Sequence, residues 1–496
     1  MSKGLPKGKL VHEPLRQKKR DFRGFEAVWQ KSHLSPEMST SELQLADTSK
    51  GGYRFPPGMP HNLAWNVLRR RRLVNPIHHF QNLTAKFGDI AHYKVGRSHI
   101  VFINNPEYIR EILVVQHANF VKERTQRRSK LLLGEGMITV DGAAHRKQRQ
   151  VAQPAFHRQQ VPAFAETIVR RALKIRDGWG DGEERDIYQD MMRLTLGTIG
   201  ATLFRTELGD DIEQLNAGVS DIMDVYHAMV LLPGVKYLIN VPFTPLNKFL
   251  KARKRLYATI ERMIVEHRRR GASGEPDLLD MMLSAQEQMG WSEHDLRDQV
   301  VTVFLAGYET MAIALTWTWY LLSENHEARE RMYAEVDAVL GGRLPTYDDL
   351  ARLKYTEIVL AESMRLYPPA WAMGREALQD FEIGPYRMPK GTTVLMSQFV
   401  TQRDARYFPD PLRFDPERHS PEGKASRPRF SYFPFGMGPR QCIGEAFAWM
   451  EGVLVLATFA QKWKMDLVPG HPVKPEPLFT LRPKYGMKMK IEERSC

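Results

Sequence analysis

The chain has 496 residues, 43% of them hydrophobic and 10% aromatic, so it is long enough to bury a large core. Its two cysteines exclude a disulfide-stabilised scaffold, and its formal net charge of +13 predicts acidic partners, such as an acidic protein or a membrane surface. No nucleic-acid-binding motif is present, so we expect no nucleic-acid partner. Residues 1–50 are basic and contain no apolar run long enough for a membrane anchor. They are predicted to form a flexible extension, followed by a single domain at 51–496.

The domain is predicted to be mainly α with small β-sheets, which places it in the α+β class. Ile90–Val95 and His99–Ile103 flank a glycine-containing turn and predict a β-hairpin. Helical periodicity then dominates from Pro106 to about residue 380. A turn at 389–391 and the β-rich run 392–395 predict a second small region of sheet.

The segment Val300–Leu322 is apolar except for Glu309 and is long enough to cross a membrane. The acidic residues before it and the carboxylate in its middle favour a buried core helix instead. Within it, Ala306, Gly307 and Thr310 share one face, and the Thr310 hydroxyl is expected to bond to the carbonyl of residue 306. Such a notch has room for dioxygen and water, with Glu309 and Thr310 delivering protons. A core helix with a stray acid explains the pattern, taken alone, equally well.

A possible structural network involves Glu362 and Arg365, which lie three residues apart on a predicted helix that Pro368 and Pro369 end. The spacing by itself is common. A second arginine, Arg418, follows some fifty residues later, and a carboxylate between two guanidiniums can form a satisfied buried network.

The most specific stretch of the chain is Phe435–Gly444, a glycine-rich loop that ends at Cys442, just before a predicted helix. The positive end of the helix dipole and the cation of Arg440 should favour a thiolate at that position. Gly438 and Gly444 allow a flat ligand to approach the backbone. A lone cysteine is usually a small buried hydrophobe. The full pattern instead predicts a planar, sulfur-ligated cofactor, for which haem is the natural candidate.

Four elements, in chain order, resemble the cytochrome P-450 superfamily over roughly residues 55–490. They are the helix with Glu309 and Thr310, the Glu362–Arg365 pair, the Pro-Glu-Arg segment that ends at Arg418, and the cysteine loop. Five loop positions match the haem-binding signature of that family: Phe435, Gly438, Arg440, Cys442 and Gly444. The resemblance implies the cytochrome P-450 fold and a haem b (iron protoporphyrin IX) cofactor, with Cys442 as the axial ligand of the iron. It also implies a structural role for Glu362, Arg365 and Arg418. The residues that it assigns to the cofactor are His145, Arg149, Ala306, Arg375, Phe435, Arg440, Cys442 and Gly444.

Two positions depart from the family pattern. Many members have tryptophan where this chain has His145, and phenylalanine where it has His419. The second difference is expected to affect local packing only.

The resemblance implies a monooxygenase that inserts one atom of O2 into an apolar substrate such as a fatty acid, a terpenoid or a steroid. Because the chain has no flavin, iron–sulfur or nicotinamide motif, a separate ferredoxin with its reductase, or a flavoprotein, is expected to supply electrons. A haem-thiolate sensor without turnover and a peroxide-dependent enzyme are the alternatives, and the Glu309/Thr310 pair argues against both. The substrate pocket implied by family position comprises Phe304, Leu305, Trp371, Ala372, Met373 and Phe479.

The resemblance is to soluble, bacterial-type members, so we expect a cytoplasmic protein without an integral membrane anchor and with at most weak membrane-surface association. In the family, the electron donor docks on the cysteine side of the haem. A basic docking face is therefore predicted from Arg146, Lys147, Lys424, Arg427 and Arg429.

Overall fold

The computed structural model describes residues 52–59, 75–157, 159–209, 245–271 and 277–494, together with 212, 215 and 218. All of them belong to one compact unit that spans Leu45–Cys496. The extension predicted for residues 1–50 lies outside the described residues, so the predicted domain boundary stays a prediction.

Helices make up most of the described chain. In chain order, the α-helices are α1 (Pro76–Phe87), α2 (Pro106–Arg110), α3 (Arg124–Arg128), α4 (Lys130–Leu133), α5 (Gly142–Ala152), α6 (Ala165–Arg176), α7 (Ile187–Leu203), α8 (Pro245–Arg270), α9 (Leu278–Met289), α10 (Glu293–Glu324), α11 (His326–Leu340), α12 (Lys354–Leu366), α13 (Gln398–Thr401), α14 (Pro421–Ala425) and α15 (Glu445–Ala460).

The strands form small sheets, as the α+β prediction requires. They are β1 (Ile90–Val95), β2 (Ser98–Ile103), β3 (Phe120–Lys122), β4 (Glu184–Asp186), β5 (Met373–Ala377), β6 (Phe381–Ile383), β7 (Tyr386–Met388), β8 (Thr393–Met396), β9 (Trp463–Leu467), β10 (Pro475–Pro477), β11 (Leu481–Pro483) and β12 (Lys488–Glu493). The largest sheet has the order β1-β2-β8-β5-β3, and the others are β4-β12-β9, β10-β11 and β6-β7. The four strands that follow α15 were not identified from the sequence.

The five-stranded sheet brings distant parts of the chain to the site. Strands β1 and β2 form the predicted hairpin, whose turn uses Gly96 at φ +61°. Strand β8 pairs parallel to β2, and β5 pairs antiparallel to β8. At the far edge, β3 pairs antiparallel to β5, so that Lys122 stands directly opposite Arg375.

Helix α10 runs through the centre of the described unit, as expected for Val300–Leu322. A capping box formed by Ser292 and Asp295 begins it. Among the described helices it alone is long and apolar enough to cross a membrane, but 83% of its apolar window is buried inside the protein. Helix α7 packs closely along it, since a methyl group added at Gly307 would lie 2.7 Å from Ile199 Cδ1. The helix is therefore a core helix.

Helix α15 packs against α10 and α12 and carries the cysteine loop at its start. The close approach of α15 to α12 depends on Gly452, where an added methyl group would lie 2.3 Å from Leu360 Cδ2. The loop is thereby fixed to the same core as α10.

Candidate active site around Cys442

The cysteine loop is held by its own backbone and by a close contact. The Cys442 amide donates to the Phe435 carbonyl at 2.9 Å. Gly438 has φ +68°, and a methyl group added there would lie 2.2 Å from the Leu113 carbonyl oxygen. Only glycine satisfies both the positive φ and this approach. The loop conformation therefore presents Cys442 just before α15, as predicted.

The Cys442 thiol is accessible and yet deeply placed. Its side chain retains exposed surface. Burial raises the pKa of its thiol above the usual value, and the Arg149 charge lowers the pKa by less. Desolvation of the sulfur opposes the preference for a thiolate that the sequence predicts, and that preference stays a prediction.

Two residues of α5 lie beside this loop, as the sequence predicted. Arg149 Nη1 donates to the Gln441 carbonyl at 2.7 Å, one residue before the cysteine. His145 is buried, and its pKa is lowered to about 3 by burial and then by the charges of Arg440 and Lys122. His145 is therefore a neutral group within a cationic environment.

Three further cations crowd the same region. Arg440 donates to the Val140 carbonyl at 2.9 Å and pairs with Asp141. Burial, followed by the repulsion of Arg440, lowers the pKa of Arg375 to about 10. The same two causes, in the same order, lower the pKa of Lys122 to about 6. The sequence analysis missed Lys122, because only the pairing of β3 with β5 brings it to Arg375.

These residues fit haem. Burial, and after it the repulsion of Arg440, depresses the pKa of Lys122 and of Arg375. The nearby carboxylates that oppose the depression are those of Asp141 and Glu123. Two propionate groups would relieve that repulsion. An accessible cysteine sulfur beside such a cluster is a donor set that suits haem iron.

The predicted notch in α10 is present in part. Between Asp298 and Ser323, Ala306, Gly307 and Thr310 alone retain accessible surface. The Thr310 hydroxyl donates to the Ala306 carbonyl at 2.9 Å, as predicted. The side of Gly307 where a methyl group would stand is filled by Ile199, so the free space lies beside Ala306 and Thr310.

Glu309 is bound to residues that the sequence analysis did not connect with it. Its Oε1 accepts from Arg482 Nε at 2.7 Å and from the Thr480 hydroxyl at 3.0 Å. All three side chains are buried. The predicted role of Glu309 in proton delivery stays a prediction, while its ion pair with Arg482 is a feature of the structure.

The Glu362–Arg365 pair is fully buried and bidentate, with Nε–Oε2 and Nη2–Oε1 distances of 2.7 and 2.8 Å. Arg365 also donates to the carbonyls of Gln402, Pro411 and Arg413. Burial by itself would raise the pKa of Glu362, but the attraction of Arg365 lowers it below its usual value. The pair therefore ties α12 to the segment 402–413.

Besides Arg365, the Asp415 amide and His419, rather than Arg418, hydrogen-bond to this carboxylate. His419 Nε2 lies 3.0 Å from Glu362 Oε2, whereas Arg418 Nε lies 3.6 Å from Oε1. The expectation that His419 affects only local packing is wrong, because its imidazole replaces the apolar ring with a hydrogen-bond donor. Arg418 is instead bound to the Asp410 carbonyl at 2.8 Å.

The predicted pocket residues divide into two groups. Phe304 is fully buried between the rings of Phe204 and Tyr308, and Leu305 and Trp371 are also buried. Accessible surface remains on Ala372, Met373 and Phe479. Phe304 is therefore a core residue, because neighbouring side chains cover it completely.

The predicted docking face loses one member. Arg146, Lys147, Lys424 and Arg429 are exposed. Arg427 is half-buried, donates to the Arg418 carbonyl and lies 3.3 Å from His419 Nδ1. Arg427 therefore belongs to the Glu362 network, because its guanidinium contacts Arg418 and His419.

Comparison with known proteins agrees with this geometry. A family model described as Cytochrome P450 matches residues 56–491. Cyclooctatin synthase from Streptomyces melanosporofaciens is 35% identical over 430 residues, which are 86% of this chain and 92% of that protein. Pentalenene oxygenase from Streptomyces avermitilis is 30% identical over 436 residues, 87% of this chain and 95% of that protein. Cyclooctat-9-en-7-ol 5-monooxygenase from Streptomyces melanosporofaciens is 33% identical over 400 residues, 80% of this chain and 86% of that protein. The chain belongs to the cytochrome P450 family and is a monooxygenase that binds haem b.

Proposed function

We infer that this monooxygenase oxidises an apolar terpenoid. The observation that carries this inference is the set of relatives that match most of the chain. Two are named for oxidising pentalenene and cyclooctat-9-en-7-ol, a hydrocarbon and an unsaturated alcohol. Such substrates offer few polar groups. The accessible candidate pocket residues Ala372, Met373 and Phe479 match this chemistry, because apolar side chains can hold a ligand without hydrogen bonds.

The residues around Cys442 would hold the cofactor. Cys442 would supply the sulfur that binds the iron, and Phe435 and Gly444 shape the loop on either side of it. Arg440, Arg375 and Lys122 would bind the propionates, whose negative charge would offset the repulsion that these basic groups exert on one another. His145 and Arg149 complete this set from α5, and Ala306 lies on the α10 side. When bound, haem supplies the centre at which dioxygen is activated.

Thr310 is the group in α10 best suited to hold and pass a proton. Its hydroxyl lies on the accessible face of the helix, and its bond to the Ala306 carbonyl fixes the position of the oxygen. A small rotation about its side chain would turn the proton toward the space beside Ala306. The sequence also predicts proton delivery by Glu309, the residue before Thr310.

The electrons are proposed to come from a separate ferredoxin or flavoprotein, because the chain carries no second redox motif. Arg146 and Lys147 on α5, with Lys424 and Arg429, form the proposed docking surface. We propose a cytoplasmic location, with the net charge of +13 available for weak attraction to acidic surfaces.

A ligand screen on the haem-loaded enzyme tests the substrate class. Polycyclic terpene hydrocarbons, fatty acids and steroids are titrated while the displacement of the axial water is followed in the haem spectrum. Terpenes should bind most tightly and give an oxygenated product with a surrogate ferredoxin, its reductase and O2. Tight binding and turnover of fatty acids or steroids alone would overturn the terpenoid assignment.

A further inference from the structure

Glu309, the single charge in the apolar part of α10, is bound to a hairpin near the C-terminus. Glu309 is 2% exposed, and its partners Arg482 and Thr480 are 6% and 3% exposed. Burial would lower the pKa of Arg482, but the attraction of Glu309 raises it above the usual value. The contact is therefore a buried ion pair, in which the Glu309 carboxylate is bound to Arg482 and Thr480.

The hairpin β10–β11 is anchored on both sides of its tip, residues 478–480. The indole of Trp371 donates to the Leu478 carbonyl at 2.9 Å, and the indole of Trp317 donates to the Leu481 carbonyl at 2.9 Å. Backbone bonding adds the Leu481 amide, which donates to the Pro369 carbonyl at 3.0 Å. Glu309 completes these anchors from α10, the helix that also carries Thr310.

Between these anchors, Phe479 presents an accessible aromatic ring. It is 36% exposed, although residues 480–482 are buried. The Trp371–Leu478 bond holds the tip against the segment that continues into Ala372 and Met373, which also retain accessible surface. The position of the Phe479 ring relative to α10 is thus set by the contacts of its neighbours.

We propose that Glu309 is a positioning residue, which through Arg482 and Thr480 holds the tip of the β10–β11 hairpin and so sets the place of Phe479 in the substrate pocket. Thr310 then carries the proton without it. This inference deepens the proposed function, since it assigns substrate selectivity to a contact outside the pocket surface. A buried pair suits this task because either charge, left buried without its partner, is strongly unfavourable.

Azole binding to the haem-loaded enzyme tests the proposal without turnover. Imidazole and 4-phenylimidazole ligate haem iron through the same ring, and only the second carries a phenyl group that would extend into the substrate pocket. In Glu309→Gln the ratio of the 4-phenylimidazole Kd to the imidazole Kd should rise about fivefold or more, because the tip loses its ionic anchor. Arg482→Met should give the same change, and the double variant no more than either single one. Arg482→Lys, which keeps the charge, should restore the ratio to within about twofold of wild type.

Matched controls separate positioning from proton transfer. Glu330→Gln removes an exposed carboxylate that pairs with Arg329, which keeps Asp466 as a partner, and should leave the ratio unchanged. Thr310→Ala should lower product per reducing equivalent and leave the ratio of the 4-phenylimidazole Kd to the imidazole Kd unchanged. Where Glu309→Gln does not fold, Arg482→Met and Thr480→Val carry the same test.

The result that would overturn the proposal is an unchanged azole ratio in both Glu309→Gln and Arg482→Met, with lost coupling in Glu309→Gln alone. Glu309 would then be a proton donor. Failure of the proposed function is distinguishable from this result, because it appears in wild type as absent terpene binding while both azoles still bind.

Discussion

His419 Nε2 and Glu362 Oε2 lie 3.0 Å apart, and both side chains are fully buried. Arg427 Nη2 lies 3.3 Å from the other imidazole nitrogen. Because a guanidinium can only donate, Nδ1 must accept, which leaves the ring proton on Nε2 for the carboxylate. His419 thus connects Glu362 to a third arginine, beyond Arg365 and Arg418.

The first prediction concerns this carboxylate. Glu362→Ala should yield little soluble haem-loaded protein, because the fully buried Arg365 loses its partner at a cost of about 3–5 kcal/mol. Yield and haem content per chain are the measurements. Glu357→Ala, on the same helix and in an exposed pair with Lys354, should express normally. A stable, haem-loaded Glu362→Ala protein would remove the network from its structural role.

The second prediction concerns His419. His419→Phe should lower the free energy of unfolding at pH 7 by about 1–3 kcal/mol, because Glu362 loses a donor and Arg427 an acceptor. Urea titration of the haem-loaded protein measures it. An unchanged midpoint would show that the imidazole does no more than fill space.

The pH dependence of that difference follows from the pKa of His419, which burial lowers from 6.5 to about 4. Between about pH 4 and pH 6.5, the His419 imidazole binds a proton in the unfolded chain and stays neutral in the folded protein. The contribution of His419 is therefore complete above about pH 7 and is lost as the pH falls toward 4. The stability gap between wild type and His419→Phe should narrow over that range, and a gap that widens would contradict the neutral imidazole.

The third prediction concerns the axial ligand. Cys442→Ala should abolish the red-shifted Soret band of the reduced carbon monoxide complex, since that band marks thiolate ligation. Cys496→Ala removes the other cysteine of the chain and should keep the band. Loss of the band in Cys496→Ala, with retention in Cys442→Ala, would reverse the assignment.

The fourth prediction concerns proton delivery. Thr310→Ala should leave haem uptake and reduction intact while diverting electrons into peroxide, because the accessible hydroxyl of α10 is lost. Product and peroxide per reducing equivalent are measured. Thr316→Ala is the control, as Thr316 makes the same bond to a helix carbonyl at 2.6 Å but is fully buried. Equal coupling in wild type and Thr310→Ala would take Thr310 out of the proton path.

The fifth prediction concerns electron supply. Lys147→Glu should slow reduction by an acidic ferredoxin several-fold at low ionic strength, because an exposed charge steers the encounter. The difference should shrink as salt is added. Stopped-flow reduction measures it, with Lys390→Glu, an exposed charge on the turn before β8, as the control. Equal slowing by both variants would point to general attraction instead of a docking face.

The sequence by itself determined the features that depend on residues close together in the chain. The cysteine loop is one: its glycine, arginine and cysteine spacing identified the cofactor, and the structure needs Gly438 for a contact with Leu113. The bond from Thr310 to Ala306 is another, because a helix places residues four apart on one face. The Glu362–Arg365 pair follows the same rule, with a separation of three.

Only the tertiary structure decided which distant charges meet. Glu309 is separated from Arg482 by 173 residues, and Glu362 from His419 by 57. Lys122 reaches Arg375 because β3 and β5 are neighbours in a sheet whose strand order departs from chain order. Side-chain spacing carries no information about such pairings, since they depend on the path of the intervening chain. Burial likewise belongs to the fold, and the desolvation that raises the pKa of the Cys442 thiol could not be read from the residues beside it in the chain.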